Sequence, residues 1–198
     1  MSQQKKLIGI LGKKKTGKDT TGKYLIEKYN FKRYAFADPI KKITEILFDF
    51  SEEQLNGDKR KDAVDFRWYI TPREAFQKIG TEFGQDMIYN LFPRLKQRLG
   101  NEIIWVKLFK QWYEKNNKSD IVITDVRFPH EIEAIKSLGG IIVKVDRNNV
   151  PFDNHISEQY IENISEENIY SKLDNNYKKE DLYSQIDTLI NLLNLDKN

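Results

Sequence analysis

The stretch Leu7-Ile8-Gly9-Ile10-Leu11-Gly12-Lys13-Lys14-Lys15-Thr16-Gly17-Lys18-Asp19-Thr20 decides how the rest of the chain is read. Its first five residues are mostly apolar and partly β-branched, and they end at Gly12, which predicts a buried parallel strand. Asp19 to Tyr29, with Tyr24, Leu25 and Tyr29 as apolar or aromatic positions and Asn30 as its stop, predicts a helix. Between them stands the Gly-x4-Gly-Lys spacing of a phosphate-binding loop. Glycines let the backbone wrap close to phosphates, successive N–H groups point inward, and the helix N-terminus adds positive potential. Lys18 is expected to reach the β- and γ-phosphates of a nucleoside triphosphate. The strict motif places Ser or Thr directly after the lysine, whereas here Asp19 precedes Thr20. Thr20 is then the hydroxyl expected near Mg²⁺, and Asp19 either adds a carboxylate to the metal or caps the helix. Among the loop lysines, Lys15 is the one expected to meet the transferred phosphoryl group, with plain solvation as its alternative. The alternative for the motif as a whole is a turn that merely holds lysines. Its place between a strand and a helix argues against that.

Composition narrows the classes. The 198 residues carry 33 basic and 30 acidic side chains, a net charge of +3, so no long-range basic field marks a nucleic-acid binder. The absence of cysteine excludes disulfides, a thiol nucleophile and thiolate metal sites. His130 and His155 are too few for a histidine-built metal centre. A hydrophobic share of 39% with 12% aromatics predicts a packed chain despite 32% charged residues. The mean hydropathy is −0.68. No apolar run approaches the ~20 residues of a membrane span, and the run after Lys6 is too short for a secretory leader. A soluble protein of a reducing compartment, the cytoplasm, is the expectation.

Further along, Arg33 to Ala37 predicts a second strand, and Asp38-Pro39 predicts a helix to about Phe48 with Asp38 as its N-cap. Residues 51–70, with Asn56-Gly57-Asp58 and a charge cluster at 58–62, predict a surface loop. Thr71-Pro72-Arg73-Glu74 restarts a helix, followed at helical spacing by Phe76, Ile79, Phe83, Met87, Ile88 and Leu91. A helix at 102–115, a strand at 121–125, a helix at 130–138 and a strand at 141–145 follow. A polar loop from Asp146 to about Glu167, a weak strand at 169–173 and a helix at 179–193 close the chain. Strands alternating with helices predict an α/β fold with a doubly wound parallel sheet.

Asp125 ends a buried strand, where α/β sheets bind ligands, and a carboxylate there holds Mg²⁺ through water or orients an acceptor. Arg127 is placed to bind phosphate bidentately. The plain alternative has Asp125 capping the next helix with Arg127 as its salt-bridge partner. Asp38 has a site role and a cap role equally open, and Arg73 is either a phosphate clamp or a solvated first-turn residue. Arg147 stands where a lid arginine belongs, and Phe83 or Phe128 is the aromatic available to stack on a base. By spacing alone, Trp105 and Phe109 are core.

Taken in order, Gly17-Lys18-Asp19-Thr20, Phe36-Ala37-Asp38-Pro39-Ile40-Lys41, Gly80-Thr81-Glu82-Phe83-Gly84, Trp105-Val106, Thr124-Asp125-Val126-Arg127-Phe128-Pro129 and His155-Ile156-Ser157-Glu158 resemble the deoxynucleoside monophosphate kinases of phages and large DNA viruses. The resemblance spans nearly the whole chain. It implies a single P-loop kinase domain, with core 1–50 and 117–198, a helical substrate-binding insertion at about 51–116 and a lid at about 147–160. It implies Mg²⁺-dependent transfer of the γ-phosphoryl group of ATP to a deoxynucleoside monophosphate, giving the diphosphate. It assigns ATP to Gly12, Lys15, Thr16, Gly17, Lys18, Asp19 and Thr20 with Asn175 and Asn176, and the metal to Asp19, Thr20 and Asp125. The acceptor falls to Asp38, Arg73, Gly80, Thr81, Phe83, Trp105, Asp125, Arg127 and Phe128, and the catalytic roles to Lys18, Arg127, Arg147 and Asp38. The chain departs from the family twice. Asn175-Asn176-Tyr177 stands where members often show Asn-Asp-Gly, and Gln85 where they often carry arginine, a phosphate ligand fewer.

The nearest rival is another small-molecule kinase on the same core, of the phosphomevalonate or dephospho-coenzyme A type. A nucleotide-dependent binding protein without transfer activity is disfavoured by the lack of an Asn-Lys-x-Asp guanine-reading motif. Partners are expected to be small nucleotides, with no stable nucleic acid and no membrane, and exposed aromatics on the insertion helices suit a homodimer face.

Overall fold

The computed structural model describes residues 5–57, 60–100, 102–150 and 160–195. The chain divides into two compact units, one of residues 1–35 and 110–198 and one of residues 36–109. The second unit begins at Phe36, and within it helix α2 (Ala37–Phe48) packs on helix α4 (Pro72–Lys78).

The first unit is built on five strands, β1 (Leu7–Leu11), β2 (Lys32–Tyr34), β3 (Ile121–Val126), β4 (Ile141–Asp146) and β5 (Ser171–Asp174). Every pairing is parallel and the order is β2-β3-β1-β4-β5. The α/β doubly wound sheet expected from the alternating pattern is the fold the chain adopts. The central β1 lies where the strand order reverses, and its carboxyl end is where open sheets of this kind bind ligands. Edge strand β2 stops at Tyr34, three residues short of the expected Ala37.

Alternation along β1 fixes its two faces. Ile8 and Ile10 join Leu25 of helix α1 (Lys18–Tyr29) and Leu182, Ile186 and Ile190 of the C-terminal helix, α9 (Lys179–Leu195), in one buried cluster. The opposite face meets helix α8 (Pro129–Ser137), and a Cβ on Gly9 would lie 2.8 Å from Ile135. Burying each such aliphatic side chain contributes about 1.5–3 kcal/mol. A polar pin on the outside of α1 adds to this. The Asp187 carboxylate accepts from the Tyr24 hydroxyl at 3.0 Å, the Tyr29 hydroxyl at 2.6 Å and the Lys28 ammonium at 2.7 Å, and Tyr24 stacks on Tyr183. Burial, with Asp187 beside it, pushes the Tyr29 phenol up to about 12.

The second unit differs from the sequence expectation in three places. Residues 51–70 are not a plain loop. Ser51 and Gln54 form a reciprocal capping box that starts helix α3 (Glu52–Asn56), and Arg67 grips Asp65 and the carbonyl of Asp49. Asp38 is not the N-cap of α2; the cap position is Phe36, and Asp38 lies within the first turn. Finally, the helix restarted by Thr71 widens into a π-helix over Ile79–Met87 before continuing as α5 (Ile88–Leu91), then α6 (Pro93–Leu99) and α7 (Ile104–Asn116). Trp105 lies across this widened turn. Its indole N–H donates to the Gly80 carbonyl at 2.7 Å, and a Cβ on Gly84 would fall 2.3 Å from the ring. Among the described residues of this unit the exposed aromatics are Phe66, Trp68 and Tyr69, in one turn, and Phe92, at the junction of two helices.

Gly84→Ala drives a methyl into a rigid aromatic ring, so it is expected to destabilise the protein by about 1–3 kcal/mol despite alanine's better helix propensity. Denaturant unfolding followed by tryptophan fluorescence measures this, and an unchanged midpoint contradicts it.

Candidate active site

The phosphate-loop sequence closes on itself through the carbonyl of Lys13. That oxygen accepts from the Thr16 hydroxyl at 2.9 Å, from the Thr16 N–H at 3.3 Å and from the Lys18 ammonium at 2.6 Å. Thr16 is buried and Lys18 is only 8% exposed. The Thr16 hydroxyl thus helps to shape the loop. Gly17, at φ 112° and ψ 12°, is the N-cap of α1, a conformation that side chains disfavour. Space matters there as much as torsion, because a Cβ on Gly17 would lie 2.3 Å from the Asn175 amide nitrogen. That amide donates to the Thr16 carbonyl at 2.7 Å, and the Asn175 N–H donates to the Asp146 carbonyl at 2.9 Å. Asn175 thus ties the ends of β4 and β5 to the loop. Lys15, at φ 65°, is exposed, as is Asp19, while Thr20 is half-buried. Lys13 forms an ion pair with Glu162.

Lys15, Arg147, Asn148, Asn149, Val150 and Asn176 line a polar cleft of about 500 Å³. The structure so brings together Lys15, Arg147 and Asn176, three residues separated widely in sequence. Asn176 accepts from the Asn148 N–H at 2.7 Å and holds one wall of the cleft. Residues 151–159, with most of the expected lid and His155, Ser157 and Glu158, lie outside the described residues.

Asp125 sits at the carboxyl end of β3, beside the end of β1. Gly9 pairs with Ile123 and Leu11 with Val126, so β3 carries one residue more than β1 between these points. This bulge, unusual in a parallel pair, interrupts the alternation at Thr124 and Asp125 and leaves Asp125 half-buried between buried neighbours. Asp125 does not cap α8. The capping carboxylate is Glu131, which accepts the N–H of Arg127 at 2.7 Å and that of Phe128 at 3.0 Å. Glu131 was not among the expected site residues, although its place three residues after the N-cap is a sequence signal. It is 5% exposed. Burial pushes its carboxyl up to about 8, the charge of Asp125 adds to that, and the Phe128 and Arg127 N–H groups oppose it. Phe128 is half-buried, stacked on His130 at 5.3 Å and edge-on to Tyr160 at 5.6 Å.

In the second unit, Arg73 donates to the carboxylate of Asp62, with Nη2–Oδ2 at 3.1 Å, an engagement that neither sequence reading of this arginine contained. Thr81 turns its hydroxyl to the Gln77 carbonyl at 2.6 Å, and Phe83 is half-buried in the π segment. Trp105, expected against the acceptor, is 5% exposed with its N–H committed to Gly80. It shapes the segment from within, as its helical spacing suggested. No group of three or more His, Cys, Asp or Glu side chains able to hold a metal occurs among the described residues. The oxygen-bearing side chains of the loop and the β3 end, exposed Asp19 and half-buried Thr20 and Asp125, are hard ligands of the kind Mg²⁺ takes beside phosphate oxygens and water. Among the described residues no helix is long and apolar enough to cross a membrane.

The family model for deoxynucleotide monophosphate kinase matches residues 6–67 and 64–186, nearly all of the chain. A protein of Acanthamoeba polyphaga mimivirus, provisionally named deoxynucleotide monophosphate kinase, is 38% identical over 187 residues, 91% of this chain and 93% of its own. The chain belongs to the deoxynucleotide monophosphate kinase family. Two phage relatives are matched over smaller shares. The deoxynucleotide monophosphate kinase of Escherichia phage RB69 is 30% identical over 64% of this chain and 53% of its own, and the deoxynucleoside-5'-monophosphate kinase of Escherichia phage T5 is 31% identical over 42% and 28%. The family membership agrees with the resemblance carried by the loop, the Thr124–Pro129 segment and the Gly80–Gly84 segment.

Burial pulls the His130 imidazole down to about 4. Its folded pKa lies below the unfolded value of about 6.5, so its contribution to stability is complete above pH 6.5 and is lost as the pH falls toward 4. His130→Gln is expected to remove this part of the acid sensitivity, on the order of 1–2 kcal/mol after allowing for partial exposure. Melting curves of the two proteins between pH 7 and 4 check it. Parallel curves contradict it.

Proposed function

We propose that the protein is a deoxynucleoside monophosphate kinase that transfers the γ-phosphoryl group of ATP to a deoxynucleoside monophosphate. The observation that carries this reading is the loop itself. It puts a buried lysine and a glycine-capped helix N-terminus at the carboxyl end of β1, beside the Asp125 end of β3. That is a place built for polyphosphate.

In this reading the loop N–H groups and Lys18 hold the donor's β- and γ-phosphates, and the cleft of Lys15, Arg147 and Asn176 takes part of the donor nucleotide. Asn175 keeps the loop in register with β4 and β5 through Thr16 and Asp146. When bound, Mg²⁺ neutralises phosphate charge, and Asp19, Thr20 and Asp125 are the side chains that would hold it. A phosphate oxygen of the acceptor forms the new bond to the γ-phosphorus as the bond to the β–γ bridging oxygen breaks, leaving ADP and the deoxynucleoside diphosphate. Arg127 and Arg147 stabilise the charge shared by the phosphates in flight, worth several orders of magnitude where such arginines are well placed. The second unit, with Asp38, Arg73 and Phe83, supplies the acceptor's recognition. The protein's contribution is positioning and electrostatics, with no covalent step of its own.

A coupled ADP-release assay with ATP, Mg²⁺ and each deoxynucleoside monophosphate, ribonucleotides alongside, tests the reading. Turnover is expected with one or more deoxynucleotides, and Lys18→Ala is expected to lose at least 100-fold while still melting in one cooperative transition, at a lower midpoint because the bond to the Lys13 carbonyl is gone. Silence on every nucleotide while ATP still binds would move the acceptor to another chemistry, and a near-normal Lys18→Ala would sink the loop assignment.

A further inference from the structure

Four observations converge on Glu131. It is a carboxylate almost wholly enclosed. One of its oxygens accepts two consecutive backbone N–H groups, those of Arg127 and Phe128. Those two residues directly follow the β3 bulge that sets Asp125 out of its strand's alternation. The charges nearest to it include Asp125, which repels it, and Arg127, which favours it.

An ordinary helix cap explains only part of this. A glutamate at the third helical position commonly returns to the N-cap N–H, from a solvated surface, and is worth about 1 kcal/mol. Here the bond extends one residue further back, to Arg127. The carboxylate also stands in a desolvated place, an arrangement that costs stability. A buried group held at such a cost, at the mouth of a strand that carries candidate catalytic side chains, is characteristic of a site whose geometry is specified rather than of a helix merely stopped from fraying.

We propose that Glu131 is a positioning residue for phosphoryl transfer, fixing the turn after β3 so that Asp125 and Arg127 stay in one arrangement through its acceptance of the Arg127 and Phe128 N–H groups. The proposal rests on the kinase reading above. The property it depends on is reach and hydrogen-bond acceptance, not net charge. Glutamine keeps both the reach and an acceptor oxygen. Aspartate keeps the charge but is one methylene shorter and falls short of the two N–H groups.

The test compares wild type, Glu131→Gln and Glu131→Asp in the ADP-release assay, well below each protein's melting midpoint, with kcat and the KM values for ATP and the deoxynucleotide determined separately. Glu131→Asp is expected to lose kcat at least tenfold with KM for ATP within threefold of wild type, because the donor loop is untouched. Glu131→Gln is expected to restore kcat to within threefold of wild type. A role confined to stability would shift the melting midpoint of Glu131→Asp and leave its kcat intact, and that result overturns the proposal. So does a Gln variant as impaired as Asp, since charge would then be the operative property. Wild type inactive on every deoxynucleotide overturns the kinase reading and this inference with it, whereas an active wild type with three equal kcat values overturns the inference alone.

Discussion

The carbonyl of Lys13 is the point on which the candidate site turns. Three donors, the Thr16 N–H, the Thr16 hydroxyl and the Lys18 ammonium, converge on that one oxygen and fold the segment after β1 into a closed ring. The ring needs two further conditions. Gly17 must lack a side chain where Asn175 passes, and Asn175 must reach Thr16 from the far end of the chain. The first condition is local and the second is a product of the sheet order, which sets β4 beside β1 and β5 beside β4. A loop of successive N–H groups is an anion site only when something holds it open in one shape. Here the sheet does so, through a single asparagine.

The same logic of backbone held by side chain recurs at the end of β3 and in the second unit. Glu131 gathers the N–H groups of the turn after the bulge, and Trp105 covers the widened helix through the Gly80 carbonyl. Each of the three devices is a long-range or cross-turn bond to main chain beside a candidate site residue, and none of these bonds was part of the sequence reading. Pinning by Asp187 of the tyrosines on α1 serves the first of them, because α1 carries the loop at its N-terminus.

What was legible in the sequence was what depends on local pattern. The strand at 7–11, the loop spacing and the helix stop at Asn30 follow from apolar runs and glycine positions, and so do the parallel strands at 121 and 141. The capping box at Ser51 was equally local but was hidden by the charged residues after it. The bulge and the π-helix left no such signal. A bulge in β3 is a mismatch of count with β1, a strand more than a hundred residues earlier, and no single run of residues encodes it. The π turn at 79–87 keeps the apolar spacing of an ordinary helix, and only the approach of Trp105 to Gly84 explains the room it needs. Trp105 shows the limit from the other side. Its periodicity placed it in the core, its motif placed it at the acceptor, and the periodicity described its surroundings.

In the proposed reaction the triphosphate end of the donor is held by the ring around the Lys13 carbonyl. Amide hydrogen exchange with and without ATP and Mg²⁺ addresses it directly, since backbone N–H groups are the proposed ligands. Saturating ATP and Mg²⁺ are expected to slow exchange at the amides of residues 13–20, with residues 72–91 slowing only once a deoxynucleoside monophosphate is added. Unchanged exchange at 13–20 under saturating nucleotide, with protection appearing elsewhere, would contradict it.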